Sequence, residues 1–169
     1  MCFFFSKKEA LTPYICRNKP NFAHYLTNHK KNNMLTKIEH IGIAVKDINI
    51  ANDLYTRILG VPPYKSEIVE SEHVITSFFK TGESKIELLQ ATSPQSAIAK
   101  FIEKRGEGIH HIAYDVPDIA TAMQYFNNNG FKLLNEQPKR GADNKLVCFI
   151  HPKDCNGVLT ELCQEIPLP

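Results

Sequence analysis

The stretch His40-Ile41-Gly42-Ile43-Ala44-Val45 is answered in the second half of the chain by His111-Ile112-Ala113-Tyr114-Asp115-Val116. Each is followed, one residue on, by Asp-Ile: Asp47-Ile48 and Asp118-Ile119. An apolar-alternating run with a Val near its end reads as a strand. Asp47 and Asp118 are natural N-caps for the helical patterns that follow, Ile48 to Leu59 and Ile119 to Asn129. Gly60 and Gly130 stand where those helices should end. Strand-like runs come next: Tyr64 to Glu70, Val74 to Lys80 and Lys85 to Gln90 in one half, Lys132 to Glu136, Leu146 to Ile150 and Val158 to Gln164 in the other. Turn signals separate them at Thr81-Gly82, at 141–144 and at 154–157. Each half therefore reads β-α-β-β-β, an α+β chain of two modules over 36–92 and 108–166. Ile98, Phe101 and Ile102 lie at helical spacing in a linking helix between them. One half has too little apolar surface to stand alone, so the two should share a core.

Strand alternation sorts the histidines. Ile41, Ile43 and Val45 share one face, which must pack under the helix, so His40, Gly42 and Ala44 look into the open side. By the same alternation His111 is open-sided, and His110, aligned with Glu39, falls on the packed side or at its margin. The small residues beside each histidine leave room for a bound object. In the closing strands, Glu87 and Glu161 each interrupt an apolar run, at similar distances beyond His40 and His111. A carboxylate in such a strand needs a cation, and no lysine or arginine sits at an obvious partner position. A divalent metal held with the two histidines would serve. Two imidazoles and two carboxylates suit an octahedral ion such as cobalt, manganese, nickel or zinc, with two positions left for substrate.

The chain has 169 residues and a formal charge of +2, with 43% hydrophobic residues. That is ordinary globular composition and gives no global field favouring nucleic acid or a membrane surface. No apolar run is long enough to span a bilayer. Cys2, Cys16, Cys148, Cys155 and Cys163 form no CxxC pair, which argues for free thiols in a reducing compartment. Residues 1–33 lack a sustained period and are basic with a single acid, Glu9. They read as a disordered tail, or as sequence upstream of a true start at Met34, in preference to a transit peptide.

From about Leu35 onward the chain resembles the vicinal-oxygen-chelate superfamily, and within it the methylmalonyl-CoA epimerases. The residues that carry the resemblance are His40-Ile-Gly-Ile-Ala-Val, Ile86-Glu87-Leu88-Leu89, Gly108-Ile109-His110-His111-Ile112-Ala113, and above all 151–162, HPKDCNGVLTEL. The resemblance implies paired modules forming a cupped mixed sheet, usually in a homodimer. It implies His40, Glu87, His111 and Glu161 as ligands of a divalent metal, cobalt first. It further implies inversion at carbon 2 of methylmalonyl-CoA through a metal-stabilised enolate. Glu161 is the first candidate for proton transfer and Glu87 a candidate for the second. Some epimerases place a proposed acid/base glutamate on the third strand of the first half, where this chain has Thr76. Lys139, Arg140 and the turn through Asn144 are candidate contacts for the CoA phosphates, with a solvated basic turn as the plainer reading. The alternatives are a glyoxalase I-type lyase acting on a glutathione hemithioacetal and a metal-free binding module of the same fold. The compartment expected is the cytoplasm, or the mitochondrial matrix if the extension is a transit peptide.

Overall fold

The computed structural model describes residues 34–167, so the expectations for the extension, including Cys2 and Cys16, lie outside the described residues. The elements run β1 (Ile38–Ala44), α1 (Ile48–Leu59), β2 (Lys65–Val69), β3 (Val74–Thr81), β4 (Ser84–Ala91), α2 (Ala97–Arg105), β5 (Gly108–Asp115), α3 (Ile119–Asn128), β6 (Lys139–Arg140), β7 (Lys145–Ile150) and β8 (Leu159–Glu165). All eight strands form one curled sheet in the order β2-β3-β4-β1-β5-β8-β7-β6. β1 and β5 pair antiparallel at its centre, and each has the closing strand of its own module parallel on its other side. The two β-α-β-β-β modules thus meet along their opening strands, and the sheet is continuous across the join.

Alternation along the strands gives the sheet two faces of different use. On the convex face, α1 covers Val45, Phe79 and Leu88, and α3 covers Val116, Cys148, Ile150 and Leu162. α2 sits on the concave face, where Ile98, Phe101 and Ile102 pack against Ala44, Val74 and Leu89. Burying such side chains is worth roughly 1.5–3 kcal/mol each, and this drives the assembly. The helix starts are built alike. Asp47 Oδ1 accepts from the backbone N–H of Asn49 and Ile50, and Asp118 Oδ1 from that of Thr121. The first helical N–H groups, of Ile48 and Ile119, donate to the side chains of Gln90 and Gln164 on the closing strands. Those glutamines are repeat-equivalent, each three residues beyond the glutamate of its strand. Gly60 ends α1 at φ 73, a conformation glycine adopts without steric cost.

The expected strand at Lys132 to Glu136 does not form. Leu133 makes one isolated bridge to Ile150, and the Asn135 side chain accepts the Phe149 N–H in place of a backbone partner. Side-chain capture of a ladder donor is how asparagine competes with sheet pairing. Pairing resumes only at Lys139–Arg140, after Pro138.

The turn between β6 and β7 reaches from one module to the other. Asp143 accepts hydrogen bonds from Tyr64 (2.8 Å), Lys65 (3.2 Å) and Lys85 (2.7 Å), all on the opposite module. Its backbone is left-handed, φ 50, which Asp and Asn tolerate. Burial would raise the Asp143 carboxyl, but the hydrogen bonds from Lys85 and Tyr64 outweigh it and hold it below its ordinary value of 3.8. Asp143→Asn, which keeps the backbone tolerance, should cost about 1–3 kcal/mol in denaturant unfolding at neutral pH. Because the folded-state value is depressed, the carboxylate's contribution is fully present above pH 3.8 and is lost as pH falls through the lower folded value. The stability gap between variant and wild type should narrow over that acid range.

Candidate metal centre

The concave face opens onto a cavity lined by both modules. His40, Glu87, His111 and Glu161 meet at its floor. Register explains how. Glu87 lies beside Gly42 on β1, and Gly42 beside His111 on β5; His40 lies beside Ala113 on β5, and Ala113 beside Glu161 on β8. Each row sets a histidine and a glutamate from different modules on either side of a small residue. Gly42 is required by contact: a Cβ there would fall 2.1 Å from the His111 ring. At Gly42, the room expected beside His40 is therefore occupied by the His111 ring of the opposite module.

His40 Nε2 and His111 Nε2 are 2.9 Å apart. Glu87 Oε2 is 3.3 Å from His40 Nε2 and 3.4 Å from His111 Nε2. Glu161 Oε2 is 3.4 Å from His111 Nε2 and 4.0 Å from His40 Nε2. All four residues are buried. Among the described residues, the ion-pair partners of Glu87 and Glu161 are these two histidines; no lysine or arginine reaches them. Donors about 2.1 Å from a common ion lie about 3 Å apart when adjacent and about 4 Å apart when opposite. The histidine–glutamate and histidine–histidine spacings fall in that range. His40, His111 and Glu161 each bring one ligand atom within 4.8 Å of the others; a second such group is Glu39, His40 and Cys163. The donor set fits a divalent cation.

Protonation reflects the crowding of charge. Burial would lower His40, but the Glu87 charge and the hydrogen bonds to Glu39 and Glu87 raise it to about 10. Burial would raise Glu87, but the charge of His40 and the hydrogen bond from His111 bring it down to about 2. Glu161 is raised by burial, with the Glu87 charge adding to the effect. A divalent cation entering the cluster would compete with any proton held on its ligand nitrogens.

His110 is not on the packed side. The β1–β5 ladder carries two bulges, and the extra residues are Glu39 and His110, each just before a cluster histidine. A bulge breaks the alternation and re-aims the bulged side chain. His110 turns into the cup, with its ring 5.0 Å from that of Phe101 on α2 and its Nδ1 3.0 Å from His111 Nδ1. Burial, then the nearby His111, lower it to about 4. Glu39 turns inward likewise and touches His40. Sequence reasoning missed Glu39 because period-2 alternation assigns it to the other face; its only signal was its alignment with His110. Thr76 lies on the cup wall, buried, and Glu72 lines the same cavity in an ion pair with Lys139. Lys139, Arg140 and the turn to Asp143 line the cavity at its mouth, where Arg140 is exposed. Cys148, Cys155 and Cys163 are free thiols.

The profile of the Glyoxalase/Bleomycin resistance protein/Dioxygenase superfamily matches residues 39–149. The chain belongs to that superfamily. It is 41% identical to the Ethylmalonyl-CoA/methylmalonyl-CoA epimerase of Cereibacter sphaeroides over 78% of this chain and 99% of that one. Its fold matches the crystal structure of methylmalonyl-CoA epimerase from Mycobacterium tuberculosis with a TM-score of 0.78 and 32% identity, covering 83% of this chain and 95% of that one. A variant of the Streptomyces coelicolor methylmalonyl-CoA epimerase in complex with 2-nitronate-propionyl-CoA matches with a TM-score of 0.75 and 34% identity, over 79% and 99% of the two chains. Among the described residues no helix is long and apolar enough to cross a membrane.

The contact at Gly42 can be tested directly. Gly42→Ala should cost about 1–3 kcal/mol by overpacking, and a crystal structure of the variant should show the His111 ring displaced from His40. An unmoved ring would mean that Gly42 does not set its position.

Proposed function

We propose that this protein is a methylmalonyl-CoA epimerase, which inverts carbon 2 by removing the proton from one face and returning it to the other. The observation that carries the reading is the convergence of His40, Glu87, His111 and Glu161 on one point at the floor of the cup. The named epimerases to which the chain is similar over most of its length supply the substrate class.

Those four side chains would hold a divalent cation, cobalt first, with manganese, nickel or zinc as alternatives. Such an ion, when bound, supplies Lewis-acid stabilisation of the charge that develops on the thioester oxygen. The chain's own groups do the rest. Glu87 lies close to both imidazoles, at 3.3 and 3.4 Å, and is the better anchored carboxylate. Glu161 is 3.4 Å from His111 but 4.0 Å from His40, and is the freer to exchange a proton at its carboxylate oxygen. We assign Glu161 to proton transfer on one face of the carbon, and Glu87 is the candidate for the other. Phe78, Leu89, Val147 and Phe149 line the cup around them and exclude water from the reacting carbon. Thr76 on the wall has no acidic proton to offer, so a base on that strand is not part of the scheme. Lys139 and Arg140 at the mouth are positioned for the CoA phosphates.

The decisive measurement is exchange of the carbon 2 hydrogen of methylmalonyl-CoA with solvent deuterium. Exchange is expected with the metal-replete protein and is expected to stop with a chelator. Metal-replete protein that exchanges nothing, or that is active only on a glutathione hemithioacetal, overturns the assignment. Glu161→Gln should lower kcat by on the order of 10²–10⁴-fold, the usual contribution of a general acid/base, while the variant still binds metal through the remaining ligands.

A further inference from the structure

We propose that Glu39 is the positioning residue for His40, fixing its Nδ1 as the protonated nitrogen so that Nε2 presents its lone pair to the cation; this rests on the metal-centre reading above. Glu39 is 3% exposed, although it lies one residue from His40 on the same strand. The bulge in β1 brings both side chains to the concave face. Glu39 Oε2 is then 2.5 Å from His40 Nδ1, and Oε1 is 2.5 Å from Lys85 Nζ and 3.2 Å from Lys145 Nζ. One lysine comes from each module, from β4 and β7.

The arrangement has one consistent protonation pattern. A carboxylate flanked by two ammonium groups has no proton to give, so the short contact requires the hydrogen to be on His40 Nδ1. Nε2, which faces His111 and the two cluster glutamates, is the nitrogen left for the cation once metal entry displaces its proton. Fixing the tautomer and ring plane of a ligating histidine, and raising its basicity, is what an outer carboxylate does. The lysines hold Glu39 by its far oxygen, so it supports the cluster without joining it. The repeat-equivalent bulge gives His111 a different partner, the His110 imidazole at 3.0 Å. An imidazole brings no carboxylate charge to that nitrogen, so the two histidines, alike in sequence, are supported by different groups.

The test compares Co(II) binding by the full chain with and without the carboxylate. Affinity is read by competition with a chromophoric chelator, and ligand environment by the visible spectrum of the cobalt-loaded protein. Glu39→Gln should weaken Co(II) binding roughly 10–100-fold and shift the cobalt bands, and Glu39→Asp, which keeps the charge, should restore most of the affinity. Glu39→Gln with wild-type affinity and spectrum overturns the proposal. Nitrogen-15 NMR of zinc-loaded wild type gives an answer even where the variant fails to fold. His40 should show a downfield Nδ1 proton and a ligated Nε2, and ligation through Nδ1 overturns the proposal. Wild type that takes up no Co(II) defeats the metal-centre reading itself, an outcome distinct from a wild type that binds and a variant that binds equally well.

Discussion

Two carboxylates buried beside two imidazoles, with no lysine or arginine in reach among the described residues, are the constraint on which the site depends. Taking ions of that kind out of water costs several kcal/mol apiece unless opposite charge meets them. In this protein the compensation is either protons on the imidazoles or a cation among all four groups. Apolar clusters under α1 and α3 fill the convex face, and α2 packs on Ala44, Val74 and Leu89 on the concave face. The rest of the concave face is left for chemistry.

The geometry of the cluster comes from departures from a regular ladder. An ideal β1–β5 pairing would send Glu39 and His110 away from the cup. Two bulges bring them in, each beside the histidine that follows it. At the floor the close approach of the modules is allowed by the missing side chain at Gly42. A slip of one residue in either closing strand would take Glu87 or Glu161 out of the cup, and Gln90 and Gln164 oppose such a slip by fastening those strands to the first turns of α1 and α3.

Much of this was legible from residues alone. The duplicated His-Ile-small pattern and the Asp-Ile that follows located the opening strands and helix starts, because capping and alternation are local effects. Ile98, Phe101 and Ile102 marked α2 for the same reason. The equivalence of His40 with His111 and of Glu87 with Glu161 pointed to a common centre, and the structure brings their functional groups together. What was not legible depends on pairing between distant segments. The bulges arise only when β1 meets β5, so parity put His110 on the wrong face and gave Glu39 no role. The strand expected at 132–136 fails because the Asn135 side chain takes a backbone donor from β7. The reach of Asp143 to Tyr64, Lys65 and Lys85 has no counterpart in any local pattern.

Each row across the sheet places a histidine of one module opposite a glutamate of the other. Half the chain therefore carries one nitrogen and one oxygen donor, and neither faces its own sibling across the row. The set of four is therefore complete only where the two modules meet along β1 and β5, and either module by itself would offer half a coordination sphere.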